Sequence, residues 1–423
     1  MKTGEISIDR LAFGPFQLDL NNSRVSRDGL VLELRPQAFH VLRLLLKRSG
    51  SDVDYEDLIR EAWGGTIVSR HTVATTIGAV RHALGEYGSW ITYRPKLGYR
   101  FQVPDAEELL QTGWHYWNRL TREGVEKALE LFQQAALKNP YDAAAFDGIS
   151  SCYMTLATFG MRAPTEVYGE FCEAQRRAVI LAGLTPKISA KHARLLYVFE
   201  RKFAAAEAEL RALFKRGAVP TMAYLNFAML LASRNRLDEA AEAVSRARLS
   251  DPLYPTLPAT EVFIHFCRRE FDAAVVCGKR GMDLHPHQTL GRAYYAQALE
   301  LCGTTGEALA QYRLASVISP DMLWLKALEA KCLVRSGNEG EALKLYEELE
   351  QARFTEYVDA YYMALLADAL GKRVEAFEDL ELALEEHSPT VYMLDVDPRL
   401  DSLRADPRFS HIRAVMFADA DAD

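Results

Sequence analysis

Paired cysteines, long apolar runs and nucleotide-binding glycine fingerprints are all missing from this 423-residue chain. The six cysteines, Cys152, Cys172, Cys267, Cys277, Cys302 and Cys332, form no C-x-x-C and fall in helical patterns, which predicts reduced, partly buried thiols rather than disulfides or a metal site. The longest uncharged stretch, Gly217–Ser233, has 17 residues and contains Pro220 and Asn226, so it reads as a packed helix and not a membrane span. "MKTGEISIDR" has no apolar core of a secretory signal, and the expected compartment is the cytoplasm, with no membrane partner. There is no G-x-x-x-x-G-K-[ST], and no dinucleotide glycine pattern follows a strand. The pair His285 and His287 has no acid or cysteine pair spaced with it and reads as a helix end. With no nucleophile–base constellation visible, neither a cofactor, nor a metal, nor an enzymatic activity is expected.

What is present divides in two. Residues 1–103 carry 14 Lys/Arg against 11 Asp/Glu, while residues 104–423 carry 36 against 47. A mildly basic front on an acidic body points any polyanion to the front.

The body is periodic. Alanines stand at 206, 240, 274, 308, 342 and 376, each 34 residues from the last. A bulky residue follows four positions on (Leu210, Val244, Tyr312, Tyr346, Leu380), with Gly278 as the exception. A small residue follows at seven (Ala247, Gly281, Ala315, Ala383) and proline at twelve (Pro252, Pro286, Pro320). Twelve positions before the last five alanines another small residue recurs at Ala228, Ala296, Ala330 and Ala364, with Val262 the odd one. Small residues let two antiparallel helices approach, large ones fill the gap to the next pair, and proline ends the second helix. This period resembles the tetratricopeptide repeat. Looser units around Ala128 and Ala174 bring the expected count to about eight pairs over 104–390, with 391–418 as a C-terminal cap and the closing "DADAD" frayed.

Such a solenoid presents the first helix of each pair on its concave face. Aligned on the small residue, the lining positions include Met222, Leu225, Met229, Phe263, Phe266, Trp324 and Tyr361, with Lys331 and Arg335 as basic members. In one register they form a groove for a protein or small-molecule partner, or for a second copy of the chain; in another they are core between repeats.

At the front, residues 11–34 alternate with turn signals at "NNS" and "RDG" and read as short antiparallel strands. Helical spacing begins at Pro36; Asp54 can cap a second helix and Ser69 a third, "TVATTIGAVRHAL", whose Val73, Ile77, Val80 and Leu84 share one stripe. Two strands joined through Pro95-Lys96-Leu97-Gly98 follow.

This order, with "RPQAFHVLRLLL", "DLIREAWG", "HTVATTIGAVRHALG" and "ITYRPKLGYRF", resembles the OmpR/PhoB-type winged-helix DNA-binding domain over residues 11–103. Its N-terminal position ahead of repeats resembles the CadC/HilA-like transcriptional activators. The resemblance implies a multidomain chain: a small α+β winged helix-turn-helix followed by an all-α tetratricopeptide-repeat solenoid. It also implies that the third helix enters the major groove of promoter DNA, with Arg70, His71, Thr72, Thr75, Thr76, Gly78, Ala79, Arg81 and His82 at or beside its reading face. Arg81 takes the family's phosphate-contacting position, and Arg94, Lys96 and Arg100 belong to the wing. The loop Gly64, Gly65, Thr66, Ile67 and Val68 faces RNA polymerase or the DNA backbone. Where many members carry arginine this chain has Gly78 and Ala79, so readout falls to threonine hydroxyls and methyl contacts. The competing reading is a repeat adaptor whose winged helix no longer reads DNA.

Overall fold

The computed structural model describes residues 10–13, 16–27, 30–217 and 219–418. Residues 1–9, the Asp28 and Gly29 of the "RDG" signal and the closing "DADAD" lie outside them. Four short strands, β1 (Arg10–Phe13), β2 (Phe16–Asp19), β3 (Arg24–Arg27) and β4 (Leu30–Leu32), form an antiparallel sheet in sequential order. Three helices follow, α1 (Pro36–Lys47), α2 (Tyr55–Ala62) and α3 (Arg70–Leu84), with a two-residue strand β5 (Asp52–Val53) between the first two. The hairpin β6 (Ile91–Arg94) and β7 (Gly98–Phe101) then pairs with β5 in the order β5-β7-β6. Asp54 caps α2 by accepting from the Asp57 N–H, and Pro36 occupies the first turn of α1, where its missing N–H is not needed. Phe13, Phe16, Leu18, Phe39, Leu42, Leu45, Leu58 and Phe101 form the core between sheet and helices.

Sixteen helices follow in pairs: α4 (Pro104–Trp117), α5 (Arg122–Lys138), α6 (Ala143–Thr158), α7 (Pro164–Ala182), α8 (Pro186–Val198), α9 (Phe203–Lys215), α10 (Thr221–Ser233), α11 (Leu237–Ser250), α12 (Leu257–Cys267), α13 (Phe271–Leu284), α14 (Thr289–Leu301), α15 (Thr305–Ile318), α16 (Trp324–Arg335), α17 (Glu339–Ala352), α18 (Ala360–Ala369) and α19 (Arg373–Glu385). Two short 3₁₀ turns and α20 (Pro407–Met416) end the described chain. No helix among the described residues is long and apolar enough to cross a membrane.

The six periodic alanines are each fully buried. Gly278, the exception in the bulky position, is explained by its neighbour: a Cβ there would lie 2.5 Å from the Tyr295 ring, which fills the space from α14. The Phe132 ring is gripped in the same way by Gly113 of α4 and Gly148 of α6, where added Cβ atoms would each come within 2.6 Å of it. Close helix approach therefore depends on which partner carries the large side chain.

The chain divides into two compact units, Met1–Cys152 with Glu170–Gly183, and Tyr153–Gly169 with Leu184–Asp423. The division runs through α6 and α7 rather than at 103/104. In the first unit, Asn139 Nδ2 donates to Ser49 Oγ at 2.6 Å, and Tyr141 and Leu181 pack against the winged-domain core. The first repeat is thus built onto the winged domain, and no flexible tether intervenes.

In the second unit, the segment from Val391 to Phe417 is more than an end cap. A cap on a linear solenoid touches its nearest neighbours. Here Tyr392 packs on Tyr197 of α8 (5.3 Å) and Phe417 on Phe203 of α9 (5.5 Å), while Arg399 reaches Gln297 of α14 (2.6 Å) and lies over Phe266 of α12 (5.5 Å). Asp397 accepts from the Tyr361 hydroxyl of α18 at 2.6 Å.

Candidate nucleic-acid interface

Helix α3 starts where Ser69 accepts a hydrogen bond from the Thr72 N–H at 3.1 Å. Val73, Ile77, Val80 and Leu84 are buried at 0–1% exposure, so the stripe packs as its spacing predicts. On the far side Arg70, His71, Thr72, Thr75, Gly78, Ala79 and His82 are exposed, and Thr76 is half-buried. The Thr76 hydroxyl donates to the Thr72 carbonyl (2.9 Å), and the Thr72 hydroxyl is 2.9 Å from that of Ser69. Thr75 therefore stands out as the threonine at the middle of the exposed face. A Cβ added to Gly78 would meet nothing within 4 Å, so helix packing does not require glycine there.

The basic residues divide by what holds them. Arg81 turns back: its Nε and Nη2 donate to the Ile91 carbonyl at 3.1 and 2.8 Å, pinning α3 to the first strand of the wing. Arg100 is committed to Asp52 through two parallel hydrogen bonds of 3.0 and 2.9 Å, with Arg94 Nε 3.8 Å from the same carboxylate. Arg81, expected at a phosphate, and Arg100, expected on the wing, thus already serve the fold, because β5 brings Asp52 beside the hairpin and β6 presents the Ile91 carbonyl to α3. Arg70 stacks over Tyr55 at 5.5 Å and remains exposed, as does Lys96 at the hairpin tip. Arg81→Ala is expected to lower stability by about 1–3 kcal/mol, because the Ile91 carbonyl loses both donors; a thermal melt of the full chain checks this.

The wing's turn places Lys96 at φ 68° and Gly98 at φ 104°. A Cβ on Gly98 would sit 2.1 Å from the Val53 carbonyl oxygen, so β7 can cross β5 only with glycine at that point. Sequence reasoning overlooked Tyr93, whose ring packs at a tilt against Tyr99 at 5.3 Å and which is 58% exposed on the wing next to Arg94. The alternation in "ITYRPKLGYRF" carried that signal.

In the loop before α3, Gly64 and Gly65 take positive φ values of 60° and 81°, and the Gly65 N–H closes on the Ile59 carbonyl at 3.0 Å. Thr66 and Ile67 project outward, Ile67 at 93% exposure, while half-buried Val68 packs on the core and its carbonyl accepts from the Tyr55 hydroxyl.

The expected partner groove requires correction. Leu225, Phe263, Phe266, Trp324, Lys331 and Tyr361 are buried at 0–6% exposure, Met222 and Met229 are half-buried, and Arg335 is exposed. The cause is twofold. The chain's own Asp397–Arg399 segment occupies the space against Phe266 and Tyr361, and Trp324 stacks on Tyr362 (5.0 Å) while donating to the Phe159 carbonyl (2.9 Å). The two basic members of the expected lining already have a carboxylate, since Lys331 is paired to buried Glu300 and Arg335 Nε lies 3.8 Å from it. Among the described residues no cluster of three or more His, Cys, Asp or Glu is arranged to hold a metal ion.

Residues 29–101 match the family model described as "Transcriptional regulatory protein, C terminal". The Streptomyces coelicolor transcriptional regulatory protein CutR is 36% identical over 85 residues, which are 20% of this chain and 39% of CutR. The Escherichia coli K12 transcriptional activator CadC is 30% identical over 86 residues, 19% of this chain and 17% of CadC. The match thus spans well under two thirds of either relative. Among solved structures, the human IFIT1 dimer with m7Gppp-AAAA aligns over 86% of this chain and 83% of its own, with 14% identity and a TM-score of 0.54. That likeness concerns the fold alone. The N-terminal domain is an OmpR/PhoB-type winged helix, homologous to those of CutR and CadC, and it is fused to a tetratricopeptide-like solenoid.

Proposed function

We propose that this chain is a DNA-binding transcriptional regulator, acting in the cytoplasm as an activator. The observation that carries the reading is the exposed face of α3. Packing does not demand a bare outer face there, yet Thr75, Gly78, Ala79 and His82 stand out on a helix held rigidly to the wing by Arg81. In this reading α3 lies in the major groove, and Thr75 and the Ala79 methyl meet base edges. Arg70, Lys96 and Arg94 meet phosphates, while Tyr93 and the wing tip lie along the adjacent backbone. The outward Ile67 and its loop, Gly64–Val68, face RNA polymerase. The repeats receive a protein, a small molecule or a second copy of the chain. A ligand that shifts the first repeat would be felt by DNA, since Asn139 and Tyr141 are packed into the winged domain.

Binding to promoter fragments measured against salt tests the phosphate assignments. Lys96→Ala and Arg70→Ala are each expected to weaken binding on all sequences alike and to reduce the slope of log affinity against log salt by roughly 1. An unchanged slope in both removes these residues from the interface. The adaptor reading is favoured by one observation, the absence of Lys or Arg from the centre of the exposed face of α3, and wild-type protein that retards no genomic fragment at low salt would select it.

A further inference from the structure

The chain's own terminal segment fills much of the concave face of the repeats, yet the first end of that face keeps two polar groups with nothing to bond. Arg194 of α8 has a buried Nε without a partner, and its guanidinium makes no hydrogen bond or ion pair with any described residue. One turn on, Tyr197 is fully buried and its hydroxyl also lacks a partner. Buried donors of this kind are ordinarily satisfied, by protein or by something bound. Arg194 follows buried Ala193 just as Met229, Phe263, Gln297 and Lys331 follow buried Ala228, Val262, Ala296 and Ala330 on later first helices. Further along this row the polar members are occupied, Gln297 by Arg399 and Lys331 by Glu300. Aromatic rings gather around the arginine. Tyr197 meets Tyr392 at 5.3 Å, and Tyr294 meets Phe263 at 5.4 Å. Burial raises the hydroxyls of Tyr197, Tyr254, Tyr294 and Tyr392 above their ordinary value, and the Arg194 charge works against that rise at all four. Of the acids, Asp251 acts on Tyr254 and Asp397 on Tyr294, and Asp397 is committed to Arg399. Arg194, Met229, Tyr254 and Tyr294 are half-buried, which leaves this end open to a small molecule.

We infer that this end of the concave face binds a small aromatic carboxylate, its carboxyl group on Arg194 and the Tyr197 hydroxyl, its ring among Tyr254, Tyr294 and Met229. A guanidinium presents two parallel N–H groups that match a carboxylate, and the bond is strongest where water is excluded. One cation suits one carboxylate. The tyrosine rings offer offset or edge-on contact to an aromatic body, and the thioether adapts to its outline. The inference rests on the reading that the repeats receive a small molecule, and it gives that ligand a place and a chemical class. Because Tyr392 belongs to the segment after α19, a bound ligand joins α8 to that segment.

Calorimetric titration of the full-length protein, without DNA, with benzoate, phenylacetate and indole-3-acetate tests the inference. Phenylacetamide, which lacks the charge, and acetate, which lacks the ring, are the controls. Saturable binding of at least one aromatic acid is expected, about tenfold or more tighter than either control. Arg194→Gln is expected to weaken it about tenfold or more. Tyr197→Phe, which removes only a hydroxyl without a partner, is expected to weaken it roughly threefold or more with no loss of melting temperature. Melting curves verify that each variant is folded, and if Arg194→Gln does not fold, Tyr197→Phe alone decides. No saturable binding of any aromatic acid overturns the inference, as do controls that bind equally well or an affinity that neither substitution changes. Such a failure leaves DNA binding by α3 standing, since no DNA enters the titration.

Discussion

Asp397→Ala is expected to destabilise the repeat unit by about 3–5 kcal/mol, because it strands a buried guanidinium. Arg399 and Asp397 are 2% and 0% exposed, and their atoms approach within hydrogen-bonding distance at several points. Phe266, Tyr361 and Tyr362 surround the arginine, whose remaining polar partner is Gln297 at 2.6 Å. With the carboxylate gone, Gln297 and the ring faces cannot replace the lost charge. Replacing both members, Asp397→Leu with Arg399→Met, is expected to recover much of the loss, since the desolvation of both charges disappears together. Urea unfolding of the two variants beside the wild type decides: equal destabilisation by the single and double changes would contradict an ion pair at this place.

The same unit sets a pH dependence with two limbs. Burial pushes the Glu386 carboxyl up to about 7 and those of Asp359 and Asp379 up to about 6. These groups oppose folding when ionised, so stability is expected to rise as the pH falls from about 7.5 toward 5. Burial alone would also raise Asp397, but the Arg399 guanidinium and hydrogen bonds from Arg399 and Tyr361 outweigh it and hold the carboxyl below its ordinary range. Its stabilising contribution is present above the ordinary carboxylate value of about 4 and disappears as the pH falls through the lowered one. A melting-temperature maximum on the acidic side of neutrality is the expected result.

The second large effect concerns DNA. Thr75→Glu combined with Ala79→Glu is expected to weaken promoter binding by at least roughly a hundredfold, because two carboxylates enter a groove flanked by phosphates and like charges cost several kcal/mol. Both positions are exposed, and a like-charge pair four residues apart costs an isolated helix only about 0.2–0.5 kcal/mol, so the fold is expected to survive. Mobility-shift titration with a parallel melt separates the two effects. Arg81→Ala is a poor control here, since it loosens the wing from α3 whether or not it touches DNA.

How much could be read beforehand follows from the range of each interaction. The alanine period and the α3 stripe are local and repetitive, so spacing alone reveals which faces are buried. Gly278 was visible as an irregularity, but its cause, the Tyr295 ring, comes from the next helix pair. β5 is two residues long and carries no period, so neither its pairing with β7 nor the Asp52–Arg100 clamp was legible. An arginine's chemistry is the same toward a phosphate and toward a carbonyl, and the choice of Arg81 for Ile91 depends on the hairpin's position. The filling of the expected groove is the longest-range case: Arg399 lies 102 residues from Gln297, and no pattern within a repeat announces that meeting.

We propose that α3 reads promoter DNA from its bare outer face. Genome-wide footprinting with the wild-type protein and with the Thr75→Glu/Ala79→Glu variant tests it most directly. Discrete protected intervals that share a recurring sequence and vanish with the variant are the expected result. Protection that is absent, scattered without a common sequence, or unchanged by the two carboxylates would contradict it.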